Sequence, residues 1–412
     1  MFAWSKKMVK VAKRGREEDE PEARNEDVAW MKRLGGQLKH FGQKNMLQAV
    51  IPGTHDSGTY AINEHMPRAA DMDDTLVKIT KACNSLGLSV GNEIVSNFAV
   101  TQASNIFGQL NLGVRYIDLR LQVESKDVIF CVHALLGATL QAVLASLERW
   151  ASWYETEIVV VHVQKIHTEA LKHLSKNQLF QMVKDMFNSH KILYKDEAAL
   201  LLPLEELWKQ RVTFILVGPE IDVDNPWFNT PSAVELRSKL ANSLPGLEKT
   251  SKDGKQLVVL QTILSPSEEV IINGVKDKLG ANKVLNILSF GTTKHDDPQS
   301  LHSLILRQAG ELAQVTQFGV FEMAKNGCGC VFLSDFPQMI PSTNSEMLTA
   351  ESLLSEAQHK KSPVVFNKDA HKFVVDKAKL LTKSQWPVVA LNCPSQIKLA
   401  VAANCLIDSL QL

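Results

Sequence analysis

"EIVVVHV", Glu157 to Val163, is the stretch whose reading decides the fold. Its apolar residues follow one another without the polar alternation of a half-exposed strand, so both faces must be covered, as in a parallel sheet flanked by helices. Runs of similar strand character recur on either side of it. They are "MLQAVIP" (Met46 to Pro52), "RYIDLRLQ" (Arg115 to Gln122), "DVIFCVH" (Asp127 to His133), "VTFILV" (Val212 to Val217), "LVVLQTI" (Leu257 to Ile263), "VLNILSF" (Val284 to Phe290) and "GCVFLSDF" (Gly329 to Phe336). Helical patterns such as "TLQAVLASLERWASWY" and "EALKHLSKNQLFQMVKDMF" lie between them. Eight strands alternating with helices predict an α/β chain, a (β/α)8 TIM-type barrel of irregular form in a single catalytic domain, with a doubly wound open sheet as the rival. The segment from Ala61 to Ala99 is long for one connection and is expected to carry a helix of its own at the barrel mouth.

The chain of 412 residues carries 45 basic and 45 acidic side chains, so no net field steers it toward nucleic acid. No apolar run reaches the roughly 18 to 20 residues of a spanning helix. Six cysteines, Cys83, Cys131, Cys328, Cys330, Cys393 and Cys405, show no repeated zinc-type spacing and read as reduced thiols of a cytoplasmic protein.

Residues 1–36 differ from the rest and are read as a charged tail, with the barrel domain spanning residues 37–412. Met1 to Arg16 hold six basic residues and no acidic one, and "EEDEPEARNED" then reverses the sign. On a helix, Phe2, Trp4, Met8 and Val9 fall on one side and Lys6, Lys7, Lys10 and Lys13 on the other, the pattern of an interfacial helix. A disordered charge-rich tail is the alternative. The apolar core of a secretory signal is missing, and a mitochondrial transit segment would favour Arg and Ser.

In "IPGTHDSGTY" (Ile51 to Tyr60) two titratable groups, His55 and Asp56, follow a buried run directly. A turn explains Asp-Ser-Gly through local backbone chemistry, but not His55. In "RYIDLRL" strand alternation puts Asp118 and Arg120 on one face, either as an internal ion pair or as site residues. His133 closes "DVIFCVH", where a hydrogen-bonded core histidine is the plainer reading. Together, His55, Asp118, Arg120 and His133 stand at the C-terminal ends of successive strands, where barrels build their sites. Two imidazoles, carboxylates and a guanidinium are the parts that move protons around a phosphate, so phosphodiester cleavage is the inferred chemistry.

"IPGTHDSGTY", "TQASNIFGQLNLGVRYIDLRL" (Thr101 to Leu121) and "FCVHALLGATL" (Phe130 to Leu140), in this order, resemble the phosphatidylinositol-specific phospholipase C X domain, in particular the small X-domain-containing proteins and their bacterial relatives. "ETEIVVVHVQK", "LPLEELWKQRVTFILV", "VVLQTILSPS" and "CVFLSDF" add to it. The resemblance runs from about Lys39 to Asp335.

It implies that His55 acts as general base on the inositol 2-hydroxyl, with Asp335 orienting it. Arg120 would clamp the phosphate with Asp56 nearby. His133, supported by Asp118, would protonate the departing diacylglycerol oxygen, and Lys165 would line the inositol pocket. The implied partner is a phospholipid at a peripheral membrane surface, not a nucleic acid. No cofactor and no metal are implied, because Arg120 stands where calcium-dependent relatives have a carboxylate. Two departures stand out: Ala134 follows His133 where the family usually has Gly, and "ILVGPE" lacks the head-group Arg of bacterial members. The rival readings are another phosphodiesterase on the same barrel and a catalytically silent lipid- or inositol-binding module.

Overall fold

The computed structural model describes residues 28–74, 76–77, 80–81, 91–190, 192–267, 269–271, 301–335 and 395–410. Its strands, numbered in chain order, are β1 (Val50–Thr54), β2 (Tyr116–Ser125), β3 (Val128–His133), β4 (Leu135–Thr139), β5 (Val159–His167), β6 (Tyr194–Asp196), β7 (Phe214–Val217), β8 (Val223–Asp224), β9 (Leu257–Gln261) and β10 (Cys330–Ser334). Eight of them form one curled sheet in the order β6-β7-β5-β2-β1-β10-β9-β8, and every neighbouring pair along it is parallel.

The unbroken apolar character of "EIVVVHV" has the predicted cause. Val160 packs with Tyr116, Ile215 and Val217 in one cluster. Val159, Val161 and Val163 pack with Ile117, Leu119, Phe214 and Leu216 in a second. The second cluster is completed by helices Ile106–Asn111, Leu140–Trp153 and Lys176–Ser189, whose buried residues repeat at helical spacing. Along β2, β5 and β7, alternate side chains therefore enter two different apolar clusters, one on each face of the sheet.

The set of barrel strands needs correction. The run Asp127–His133, read as a barrel strand, is an antiparallel arm folded back along the upper half of β2. β4 then turns antiparallel onto β3. The reversal is at Ala134, whose φ is +58°, with its N–H donating to Asp71 Oδ1 at 2.9 Å. β6 and β8, of three and two residues, take the remaining places in the parallel sheet. The run Val284–Phe290 lies outside the described residues. The connection after β1 does carry a helix, Gly91–Ala99.

The boundary expected at residue 36 falls inside a helix, Trp30–Gln37, that belongs to the core: Trp30, Met31 and Leu34 are fully buried. Trp30 Nε1 donates to Gly113 O at 3.1 Å. Ala29 offers the helix start no side-chain cap, and Glu157 substitutes by accepting from the N–H groups of Met31 (3.3 Å) and Lys32 (3.0 Å). Arg115 neutralises Glu157 through Nε (2.8 Å) and Nη2 (2.6 Å), lies over the rings of Trp30 and Trp150, and also donates to Val28 O. The interfacial helix expected from Met1 to Arg14 lies outside the described residues. Among the described residues no helix is long and apolar enough to cross a membrane.

Candidate active site

β1 and β10 run parallel with Thr54 opposite Ser334, so the next residues, His55 and Asp335, leave the sheet side by side. His55 Nδ1 lies 3.1 Å from Asp335 Oδ1. From the neighbouring strand, Asp118 and Arg120 project from β2 on the face that sequence alternation assigned them.

The turn after β1 is held rigidly. Ser57 N–H donates to Asp118 O at 2.8 Å, and Asp118 N–H donates to Ser57 Oγ at 2.9 Å. Thr101 Oγ1 and Gln102 Nε2 both donate to His55 O, at 3.0 and 2.9 Å, and Gln109 Nε2 donates to Ser57 O at 2.9 Å. These bonds keep Asp56 at φ +43°, an uncommon conformation for a residue with a side chain. Gly58 is required by a close approach: a Cβ there would stand 2.3 Å from Cys131 Sγ on β3.

Asp56 is the hub. One of its oxygens is 3.0 Å from Arg120 Nε; the other is 3.1 Å from His55 Nε2 and 3.7 Å from His133 Nε2. The Nε–H of Arg120 is aimed instead at Gln164 Oε1, 3.0 Å away, and neither Asp56 oxygen accepts a directed hydrogen bond. Charge holds this carboxylate in place. Burial opposes its ionisation, but Arg120, then His55 and His133, hold its carboxyl below its ordinary value. Burial likewise disfavours the His55 cation, yet Asp56 and Asp335 outweigh it and lift the imidazole to about 8. For Asp118, burial and then the Asp56 charge act in the same direction and push the carboxyl up to about 6. Burial also raises Asp335.

Arg120 Nη2 is 3.3 Å from His55 Nε2, and the rings of His55 and His133 are 6.1 Å apart edge to face. His55, Asp56, Asp118, Arg120, His133 and Asp335 therefore form one cluster. Lys165 pairs in register with Arg120 and stands exposed on the rim. One expected contact is different. His133 is supported by Ala99 O, 2.8 Å from its Nδ1, rather than by Asp118, because its antiparallel arm brings it over the helix end while Asp118 Oδ2 accepts the Asp56 N–H at 3.3 Å. Ala134, where a Gly was expected, occupies the left-handed region that favours Gly.

No family model matches the chain. Human PI-PLC X domain-containing protein 3 is 23% identical over 265 residues, covering 61% of this chain and 78% of that protein. Human PI-PLC X domain-containing protein 2 is 24% identical over 261 residues, covering 60% and 80%. A solved structure of the Staphylococcus aureus phosphatidylinositol-specific phospholipase C superposes with a TM-score of 0.50 at 12% identity, covering 76% of this chain and 91% of that one. By sequence this chain is similar to the PI-PLC X domain-containing proteins. The structural likeness shows the fold, a TIM-type α/β barrel.

At this site one imidazole and two carboxylates, from His55, Asp56 and Asp118, bring ligand atoms within 4.8 Å of one another. A divalent cation fits poorly there. It would sit against the Arg120 guanidinium, already 3.0 Å from Asp56 and 3.3 Å from His55. Hard cations also take about six or more oxygen ligands, and two carboxylates supply too few.

Sequence reasoning missed four kinds of contributor. Thr101, Gln102 and Gln109 fix the His55 turn, and Gln164 orients Arg120. Trp227, 48% exposed, places its ring 5.7 Å from that of His55. His162 sits opposite Asp118 on β5. The usable signals were polar residues inside otherwise apolar runs, at Gln109 and His162.

Proposed function

We propose that this chain cleaves phosphatidylinositol-type phospholipids by metal-independent acid and base catalysis, as a phosphoric diester hydrolase of the phospholipase C kind. The observation that carries the proposal is the His55 environment: Nδ1 meets Asp335, Nε2 faces Arg120 Nη2 at 3.3 Å, and a second imidazole stands across the cluster at 6.1 Å. A proton on Nδ1, held by Asp335, leaves the Nε2 lone pair of the neutral ring turned toward the cluster. It takes the proton of the inositol 2-hydroxyl as that oxygen attacks phosphorus. Arg120 pairs with the phosphate oxygens through its planar fork. His133, its Nδ1–H given to Ala99 O, delivers a proton from Nε2 to the diacylglycerol oxygen as the P–O bond breaks. The products are diacylglycerol and a cyclic inositol phosphate. Asp56 links Arg120, His55 and His133, and Lys165 adds charge at the rim.

As a working unit we propose the barrel, acting in the cytoplasm at the surface of a membrane. The names of the relatives and the fold of the bacterial phospholipase support the substrate class.

The test is to incubate the purified full chain with vesicles of phosphatidylinositol, with vesicles of sphingomyelin and with glycerophosphoinositol, following phosphorus by NMR. Turnover confined to the inositol phosphodiesters, with a cyclic phosphate appearing first and sphingomyelin untouched, is expected. Binding of phosphatidylinositol vesicles without turnover of any substrate would replace the proposal by a silent binding module.

A further inference from the structure

Released from His133, Asp118 has an unexplained atom. Its Oδ2 accepts the Asp56 N–H, but Oδ1 is buried and has no hydrogen-bond partner among the described residues. A buried carboxylate oxygen left without a donor is costly, and at a candidate active site it marks a place where a ligand supplies one.

The neighbouring strand offers the complementary group. His162 is opposite Asp118 in the parallel register of β2 and β5, and only 3% exposed. Its Nδ1 lies 2.6 Å from the Tyr116 hydroxyl, itself sealed in the core. If the phenol accepted from Nδ1–H, its own proton would have no acceptor, so the phenol donates and Nδ1 accepts. The single proton of the neutral ring is thereby fixed on Nε2. Burial, which holds this imidazole down to about 4, keeps it neutral.

We propose that Asp118 Oδ1 and His162 Nε2–H form a subsite for one hydroxyl of a polyol head group, the hydroxyl donating to the carboxylate and accepting from the imidazole. The choice of an inositol-type ligand rests on the phospholipase reading above. The pairing selects among head groups by chemistry: an ammonium cannot accept from Nε2–H, and a phosphate at this position would be repelled by Asp118. His162 acts as a specificity residue, and Tyr116 positions it.

The test uses the full chain labelled with ¹⁵N-histidine and free myo-inositol as the probe. His162 should show the Nε2–H tautomer, and its signals should shift saturably with myo-inositol. His162→Phe should weaken that binding about threefold to tenfold, the range of a hydrogen bond between neutral groups. His162→Gln, which returns an N–H near the Nε2 position, should recover most of it. Tyr116→Phe, which removes the tautomer lock, should weaken it too and serves if His162→Phe fails to fold. A protonated Nδ1, absence of inositol binding, or binding indifferent to both His162→Phe and Tyr116→Phe overturns the subsite. If binding depends on His162 but phosphatidylinositol is not cleaved, the subsite stands and the phospholipase reading falls. If cleavage persists unchanged in His162→Phe, the reverse holds.

Discussion

His55 and Asp335 are 280 residues apart in the chain and 3.1 Å apart in space. The parallel pairing of β1 with β10 makes them neighbours, and their proximity helps set the charge state of the proposed base. With Asp56 and Asp335 beside it, His55 is lifted from its ordinary 6.5 to about 8 and is mostly cationic at neutral pH. A base must be neutral to accept a proton, so kcat/KM on a soluble inositol phosphodiester should rise with pH through about 8. Asp335→Asn removes one of the two anions and should move that limb to lower pH. Replacing either His55 or His133 by Ala should lower kcat roughly 10² to 10⁴-fold. A rate flat between pH 6 and pH 9 would remove His55 from the role of base. Stability follows the same proton: because the folded value is above the unfolded one, the contribution is complete below about 6.5 and lost as pH rises through about 8, roughly 2 kcal/mol in all.

Asp118 is linked in the opposite direction. Its carboxyl is raised from 3.8 to about 6 by burial and by Asp56, so ionising it costs the folded state. The cost is absent below pH 4, grows as pH rises to about 6 and is constant above. Asp118→Asn keeps an acceptor for the Asp56 N–H and removes the charge. It should stabilise the protein at pH 7 by up to about 3 kcal/mol while impairing turnover. Urea unfolding of both proteins at pH 4 and pH 7 checks it: the gain must vanish at pH 4.

How much of this was legible beforehand depended on whether a residue's meaning was local. Asp118 and Arg120 could be put on one face because strand alternation is a property of the segment itself, and the apolar runs of β1, β5, β7, β9 and β10 declared burial on both sides. The residues around Ala134 carry no local signal of the reversal, since the turn has Ala where Gly would have announced a positive φ, and only the Gly usual in the resembled family pointed to it. β6 and β8 are three and two residues long and exist only because a neighbouring strand is there to pair with them. Thr101, Gln102 and Gln109 matter because the carbonyls of the His55 turn arrive beside them, which no local pattern contains. Trp30 was read with the charged tail because its burial depends on distant partners, among them Gly113 and Arg115.

That last point changes how the N-terminal segment has to be tested. Removing residues 1–27 stops before the packed helix, whereas removing residues 1–36 takes Trp30, Met31 and Leu34 out of the core and strips Arg115 and Glu157 of partners. The shorter deletion should leave the melting temperature unchanged and, if the first residues form an interfacial helix, weaken binding to anionic vesicles. The longer one should unfold the protein or cost at least about 3 to 5 kcal/mol, as loss of a single large buried side chain does. Glu157→Gln, which leaves Arg115 buried beside an uncharged partner, should cost a comparable amount, roughly 3 to 5 kcal/mol. Equal melting temperatures for both deletions would contradict the packing of Trp30.

The final prediction separates a guanidinium from a metal ion. Arg120 sits with Nε 3.0 Å from Asp56 and Nη2 3.3 Å from His55, so a fixed positive charge already occupies the ground a divalent cation would need. Its Nε–H is committed to Gln164, which leaves the outer edge of the fork to face an entering phosphate with two parallel donors. Turnover should therefore survive excess EDTA and gain nothing from added calcium. Arg120→Lys keeps the charge but replaces the fork by a point, and should lower kcat roughly 10² to 10³-fold, the scale of losing one donor aimed at developing charge. Gln164→Leu frees the guanidinium to rotate and should have a smaller effect of the same sign, without altering His55 titration. Activity abolished by EDTA and restored by calcium, with Arg120→Lys fully active, would transfer the role of clamp from Arg120 to a metal held by His55, Asp56 and Asp118.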